Sequence, residues 1–396
     1  MDRTFSVYWL KLYFYTFINE MNTDKVKKIG LVTVSLGKGG AERSVVILSK
    51  ILHNLAHQVF VITLNSKIEQ EFSGELFDLG QFKDEKDNFI KRFYRLRKLR
   101  QFLLEKKIDL IIDHRPKNQL RREQLYKAYV YKNIKTIDVV HSALQAHYFE
   151  KFGTKMLQLF KKNVATIGVS KYIEENILQE NGIKNTHYIP NCYDPSFFEE
   201  CSEIPHQLKN KTYFLSYGRI DEKVKNLSFL IEAYGKSKLW KKNVFLVIMG
   251  DGNDKDMLIK KVATTEFSDY VEFLPHISSP SAIIQNARAI CLTSNYEGFP
   301  MVLVESLSLG TPVISLDITS GPSEIIQPNI NGILIKKRDT NDFASAMRKM
   351  FLEEDFYQNC MSNAPKSVEK FNLEAISEKW KKLIENILNR KLHNEI

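Results

Sequence analysis

The stretch Ser294-Asn295-Tyr296-Glu297-Gly298-Phe299-Pro300-Met301-Val302-Leu303-Val304-Glu305 sets two carboxylates eight positions apart, with a proline between them. Proline at a helix start and glycine just past its end predict a helix from Pro300 that closes at Gly310. Glu305 then stands about a turn and a half inside an apolar helix. A carboxylate there costs free energy unless something satisfies it, and a pair of ligand hydroxyls would do so. The free amides near Gly298, Phe299, Pro300 and Met301 could meanwhile hold a phosphate. Upstream, Tyr217-Gly218-Arg219 ends an apolar run and Lys225-Asn226 opens the next helix. Two cations at that place suit a diphosphate, and solvated surface charges account for them too. Near the start, Gly37-Lys38-Gly39-Gly40 leads into a helix whose N-terminal amides could take an anion. Glu42 stands where a dinucleotide fingerprint needs its third glycine, and a tight turn without a ligand explains the same residues.

The elements that must position these groups are short apolar runs alternating with helical patterns, which predicts parallel α/β sheets. Strand candidates in the first half are Ile29 to Ser35, Gln58 to Leu64, Leu110 to Asp113, Thr136 to Val140, Ala165 to Val169 and His187 to Ile189. After Pro190 the pattern pauses through Asn191, Asp194, Pro195 and Pro205, a linker. It restarts with Tyr213 to Tyr217, Val244 to Met249, Val271 to Leu274, Ile290 to Thr293, Pro312 to Ser315 and Gly332 to Ile335. Two doubly wound halves follow, and open parallel sheets bind ligands at the carboxyl ends of their strands, where Arg219 and Lys225 fall. Beyond Asp339 the chain reads as helical, with Phe343, Met347, Met350 and Phe351 on one stripe and Trp380, Leu383, Ile384 and Ile387 on another. The expected division is an extension at 1–20, a first domain at 21–195, a second at 206–370, and a C-terminal helix and tail at 371–396.

A length of 396 residues suits two cores, and 43% hydrophobic with 26% charged residues excludes a disordered or fibrous chain. Cys192, Cys201, Cys291 and Cys360 form no metal-binding or paired spacing, which fits a reducing cytoplasm. The aromatic stretch Phe5 to Ile18 is interrupted by Lys11 and is too short to span a bilayer. Met21 resembles a translation start, so the first twenty residues are expected to be dispensable. The net charge of +10 is concentrated between Lys91 and Lys132, with 14 Lys or Arg against 4 acidic residues. Phe93, Tyr94, Leu96, Leu99, Phe102 and Leu103 recur there at helical spacing. A basic amphipathic helix at a membrane surface and a solvated face over a core stripe are both consistent with that pattern.

Taken in order along the chain, these motifs resemble glycosyltransferase family 4, of the GT-B fold. Its pair of glutamates with seven residues between them is matched by Glu297 and Glu305. Its Gly-Arg strand end and following Lys-Asn are matched by Gly218, Arg219, Lys225 and Asn226. Its glycine-rich first loop resembles Gly37 to Gly40, and its Met-Gly-Asp-Gly strand end resembles Met249 to Gly252. The resemblance runs from Lys28 to about Ile387, and departs from the family's Pro-Asn-Gly-Val turn at Pro190-Asn191-Cys192-Tyr193.

It implies two Rossmann-like domains facing across a cleft, the first on the acceptor side and the second on the donor side. Arg219 and Lys225 would hold the donor diphosphate, Glu305 the ribose hydroxyls, and Glu297 the hydroxyls of the transferred sugar. Amides at Phe299 to Met301 would assist, with Gly39, Gly40, Gly250 and Gly298 lining the nucleotide sugar. Backbone near His276 would meet the base, and His141, after a first-domain strand, would approach the reaction centre. The family retains anomeric configuration, and no protein nucleophile is required. Gly321-Pro322-Ser323-Glu324 resembles a segment common in polysaccharide-building members.

The expected activity is therefore transfer of a hexose or N-acetylhexosamine from a nucleotide-diphosphate sugar, a UDP-sugar by preference, to a growing glycan or lipid-linked glycan. No cofactor or metal is expected, and Asp254-Lys255-Asp256, which spells a metal clamp, is read as a helix cap. The expected location is the cytoplasm or the inner face of the cell membrane, with an anionic membrane surface as a further partner. A nicotinamide dehydrogenase is the rival enzyme, and it lacks its glycine fingerprint. A nucleic-acid-binding protein is the rival suggested by a pI near 9.1, and no RNA or DNA module accompanies the charge.

Overall fold

A computed structural model of the chain describes residues 26–37, 39–83, 88–145, 148–149, 153–195 and 203–389. The extension at 1–20, with its Phe5 to Ile18 stretch, lies outside the described residues, as does Cys201. Cys192, Cys291 and Cys360 are buried free thiols.

Two separate sheets carry the fold. The first has seven strands, β1 (Lys28–Thr33), β2 (Gln58–Thr63), β3 (Glu75–Asp78), β4 (Leu110–Asp113), β5 (Lys135–Val140), β6 (Ala165–Gly168) and β7 (Thr186–Tyr188). Their order is β3-β2-β1-β4-β5-β6-β7. The second has six, β8 (Thr212–Tyr217), β9 (Val244–Met249), β10 (Val271–Leu274), β11 (Ala289–Leu292), β12 (Val313–Leu316) and β13 (Gly332–Ile335), in the order β10-β9-β8-β11-β12-β13. Strand β8 pairs in parallel with both β9 and β11, and β1 with both β2 and β4. The strand order therefore reverses beside β1 in one sheet and beside β8 in the other. Those are the switch points where an open α/β sheet leaves a crevice at its carboxyl edge.

The strands read as unbroken apolar runs because both faces are covered. All six residues of β9 are buried, and all four of β4, β11 and β12. The twelve expected strands are present, and β3 is an addition. Its sequence ELFD has one buried residue, Asp78, at the sheet edge, so hydrophobic patterning carries no signal for it. Beyond Asp339 the chain is helical as expected, through Thr340–Leu352, Glu354–Ser367 and Leu373–Asn389. Phe343, Met347, Met350, Trp380, Leu383 and Ile384 are buried from those helices.

The chain divides into two compact units. One runs to Val139 and includes Gln158–Ala165, and the other holds Val140–Leu157 and everything from Thr166 onward.

The basic block departs from its sequence reading. Arg115, Lys117 and Lys127 lie inside the first unit, paired with Asp113, Glu123 and Asp138, and present no surface charge. The helix Phe89–Glu105 buries Leu99, Phe102 and Leu103, but it turns Phe93 and Tyr94 outward. The six apolar residues expected to share one stripe thus divide between two faces. Among the described residues no helix is long and apolar enough to cross a membrane.

Candidate functional site

In the second sheet the switch point lies between β8 and β11, and the loops leaving those strands carry most of the sequence-predicted residues. After β8 the chain turns at Gly218, where φ is +128°, and Asp221 caps the short helix Glu222–Lys225 by accepting from the Val224 N–H at 3.2 Å. Asn226 then takes a left-handed turn, φ +48°, which a short polar side chain tolerates. Lys225 is thereby delivered to Glu297, with Nζ 2.7 Å from Oε1. Ser294 Oγ donates to that same oxygen at 2.7 Å. The pair is partly open, with side chains 19% and 15% exposed, within reach of a ligand.

The loop bearing Glu297 is held from several sides. Asn295 N–H donates to the Val224 carbonyl at 2.7 Å, its Nδ2 donates to the Lys223 carbonyl at 2.9 Å, and Thr293 Oγ1 donates to the Lys225 carbonyl at 3.0 Å. Arg338, three residues past β13, spreads its guanidinium over the strand-end carbonyls of Thr293 at 3.1 Å and Ser294 at 2.7 Å. Nothing in the sequence marks Ser294 or Arg338 as part of a site, because each acts through the loop that carries Glu297.

Glu305 is buried on the helix Met301–Ser308, which starts after Pro300 and is followed by Gly310 at φ +85°, the expected punctuation. The chain itself helps to satisfy its carboxylate. The Tyr217 hydroxyl lies 3.1 Å from Glu305 Oε2 and 3.1 Å from the Val302 carbonyl. The sequence argument, which asked a ligand for all of that satisfaction, missed Tyr217. Phe299 is buried edge-on against Phe371, with ring centroids 5.2 Å apart.

Gly298 and Gly250 are two positions where only glycine fits. A Cβ on Gly298 would strike the carbonyl of His141, which belongs to the same unit. The structure thus brings the His141 backbone against the Glu297 loop. The backbone at His141 and Ser142 hydrogen-bonds Tyr148, whose hydroxyl burial pushes well above the usual phenol range. At the end of β9, Gly250 has φ +149°, and a Cβ there would strike the Gly218 carbonyl. Lys255 Nζ gathers the neighbouring strand-end carbonyls, Gly250 at 3.0 Å and Leu274 at 3.2 Å. The His276 N–H donates to Asp251 Oδ2 at 3.1 Å, and that bond, with Lys255, holds Asp251 below the usual carboxylate range.

Other assignments fare differently. Arg219 lines the same pocket as Lys225, yet its side chain is 75% exposed and reaches only Asp221, at 4.0 Å. Asp254 stands at the start of the helix Lys255–Ala263 without capping it. Its Oδ2 accepts instead from the Glu222 N–H at 2.7 Å, which corrects the cap reading for Asp254, whereas Asp256 does sit in the first helical turn. In the first unit, Gly39 and Gly40 open the helix Gly40–Asn54 as expected. There Glu42 folds back so closely that a Cβ on Gly39 would strike its carboxylate, so a chain carboxylate faces that helix start. Glu324 of the unassigned Gly321-Pro322-Ser323-Glu324 segment takes the Lys171 N–H on both oxygens, each at 3.0 Å.

Comparison with known proteins agrees with this arrangement. The family model described as Glycosyltransferase Family 4 matches residues 38–197, and that described as Glycosyl transferases group 1 matches 198–367. An α-1,4-N-acetyl-D-galactosaminyltransferase of Campylobacter jejuni, named for an undecaprenol diphosphate-linked glycan, is 25% identical over 91% of this chain and 99% of its own. The lipopolysaccharide 1,6-galactosyltransferase of Salmonella typhimurium is 26% identical over 85% of this chain and 92% of its own. The crystal structure of Anabaena HepE in complex with UDP superposes with a TM-score of 0.74 at 18% identity, covering 91% of this chain and all of the other. Two doubly wound parallel sheets, two glycosyltransferase family models that together run from residue 38 to 367, and glycosyltransferase relatives along nearly the whole length make this chain a glycosyltransferase of the two-domain GT-B fold.

Proposed function

We propose that the chain is a retaining enzyme that moves a hexose or N-acetylhexosamine from a UDP-sugar to a growing glycan or lipid-linked glycan, in polysaccharide or glycoconjugate biosynthesis. The observation that carries this reading is the partly open Lys225–Glu297 pair at the β8/β11 switch point, beside the buried Glu305. In it Lys225 and Arg219 hold the diphosphate, Glu305 binds the ribose, and Glu297 orients the sugar. Amides at Gly298 to Met301 assist, Gly250 and His276 line the nucleotide, and His141 meets the reaction centre. Residues 21–195 serve the acceptor, with Gly39 and Gly40 on the donor's path, and 206–370 serve the donor. Relatives named for a lipid-linked glycan and for lipopolysaccharide support the acceptor class, and HepE's complex with UDP supports the base.

Departure of the nucleoside diphosphate builds negative charge on the leaving oxygen. Cations and amides already aimed at that oxygen lower the barrier without reorganising. The acceptor attacks from the face the phosphate leaves, and the phosphate oxygen takes its proton, so configuration is retained. The reaction needs no divalent metal in this scheme, and Asp254 supports it by spending an oxygen on the Glu222 N–H. In this reading the enzyme works in the cytoplasm at the anionic inner face of the membrane, and the exposed cations Arg92 and Arg97 of the basic stretch support that location. The dehydrogenase and nucleic-acid readings are not favoured, since the relatives are glycosyltransferases.

A panel of nucleotide sugars with EDTA present, read by NMR of the anomeric proton, tests all three parts. Release of UDP with an α-linked product from an α-linked donor is the expected result. An inverted product removes retention, loss of activity in EDTA with recovery in manganese removes metal independence, and turnover of a donor with another base removes UDP.

A further inference from the structure

The helix Phe89–Glu105 has two apolar faces, and only one is covered. Leu99, Phe102 and Leu103 enter the core, while Phe89 and Ile90 are 77% and 76% exposed, and Phe93, Tyr94 and Leu104 are exposed as well. At 100° per residue, positions 89, 93, 104, 90 and 94 fall within an arc of about 140°, with 99 and 102 across the helix and 103 at its core-facing border. Phe89, Ile90, Phe93 and Tyr94 therefore form one apolar strip at the N-terminal end of the helix, and Leu104 lies on the same side beyond Arg97 and Arg100. Neighbouring rings extend it: Phe93 stacks on Tyr129 with centroids 5.8 Å apart, and Tyr94 meets Phe82 edge-on at 6.4 Å. A helix whose second face is this apolar is stable in water only at a cost, and such patches mark contact surfaces.

Charge identifies the partner. Between residues 89 and 107 eight Lys or Arg stand against one acidic residue, Glu105, and over 83–107 the balance is ten to four. Arg100 is turned to the carbonyls of Val130 and Lys132, and Lys106 to Glu75. Arg92 and Arg97 are exposed beside the apolar strip. Large apolar side chains concentrated at one end of a helix, with cations along it, are the pattern of a helix lying in the headgroup region of an anionic bilayer.

We propose that Phe89, Ile90, Phe93 and Tyr94 insert into an anionic membrane surface, so that binding is hydrophobic as well as electrostatic. This goes beyond attraction by the basic stretch. It holds whatever sugar the enzyme transfers, because the strip lies in the first unit and the Lys225–Glu297 pair in the second.

The full chain would be mixed with phosphatidylcholine vesicles, with and without phosphatidylglycerol, and its partition measured by flotation at rising salt. Wild type should prefer anionic vesicles and keep a salt-resistant fraction. Phe89→Glu/Ile90→Glu should lower partition roughly tenfold or more at every salt concentration, since each large side chain contributes about that much when buried. Arg92→Gln/Arg97→Gln should weaken binding and flatten its salt dependence. Unchanged melting temperature and UDP binding would show both variants folded, and both positions are exposed enough to expect it. Partition that salt abolishes entirely, or that the Phe89→Glu/Ile90→Glu change leaves intact, overturns insertion. Equal binding to neutral vesicles overturns the anionic preference. Dimerisation that Phe89→Glu/Ile90→Glu abolishes, without vesicle binding, assigns the strip to a second copy of the chain, and oligonucleotide binding lost in the same variant assigns it to nucleic acid. Either outcome overturns the proposal.

Discussion

Each sheet ends, at its switch point, in a group of opposite charges, and the two groups are built to opposite specifications. At the end of β4, Asp113 meets Arg115 at 2.6 Å and Lys117 at 2.9 Å. Glu123 meets Arg115 at 3.1 Å, and Asp138 meets Lys127 at 3.2 Å. These side chains are at most 6% exposed, and the Tyr131 hydroxyl adds a further bond to Asp113 at 3.1 Å. Burial alone would raise the Asp113 pKa, and Arg115 and Lys117 override it and hold the carboxyl well below the usual range. Three buried carboxylates thus face three buried cations, with the more exposed Arg122 adding a bond to Glu123 at 2.8 Å. At the end of β8 and β11, by contrast, Lys225 and Glu297 are partly open and Arg219 reaches into solvent. A closed cluster spends its charges on itself and fixes the loop after β4. An open one leaves them available to a substrate.

The comparison is broken most directly by removing one charge from the closed cluster. Asp113→Asn leaves Arg115 and Lys117 buried without their shared counter-ion, so unfolding free energy should fall by about 3–5 kcal/mol. The melting transition should drop by roughly 10 °C, measured by calorimetry. Because the folded pKa of Asp113 is depressed, its contribution is fully present above the unfolded value near ~4 and is lost as pH falls through the folded value. Denaturant titrations from neutral to strongly acid pH should therefore show wild-type stability falling on the acid side, and a flatter profile in Asp113→Asn. A variant as stable as wild type would mean the cluster is not what holds that loop.

Lys225→Ala or Arg219→Ala should do the reverse, with turnover falling by roughly 10² and the melting temperature nearly unchanged, since water can solvate what remains. If Lys225→Ala unfolds the protein as Asp113→Asn does, the open pair is structural and the comparison collapses. Glu305→Ala sharpens it from an intermediate position, because Glu305 is buried yet faces the pocket region through Tyr217. Its loss should raise KM for the donor more than it lowers kcat, as expected of a contact equal in ground and transition states. Tyr217→Phe is the smallest change. Removing that hydroxyl should weaken donor binding by about 1 kcal/mol, or roughly fivefold, read by titration calorimetry with UDP.

How much of this was legible beforehand varies by residue. Strands β1, β4, β9 and β11 announce themselves as apolar runs, because parallel strands covered on both faces admit little else. The Glu297 to Glu305 spacing, Pro300 and Gly310 placed the helix and its carboxylate correctly, since helix punctuation is local chemistry. Partnership was not legible. Arg115, Lys117 and Lys127 read as part of a basic surface until the fold sealed them against Asp113, Glu123 and Asp138, the last of which reaches Lys127 from 11 positions away and Lys117 from 21. Phe93 and Phe102 stand on opposite faces of one helix that is apolar on both, and only the sheet beneath decides which of them is buried. Arg338 reaches Thr293 across 45 residues, a relation no local pattern encodes. The sequence by itself determined the elements and the residue types at their ends, because those depend on neighbours a few positions away. Tertiary structure decided which charges are sealed and which remain open, because burial and pairing depend on whatever the rest of the chain brings into contact.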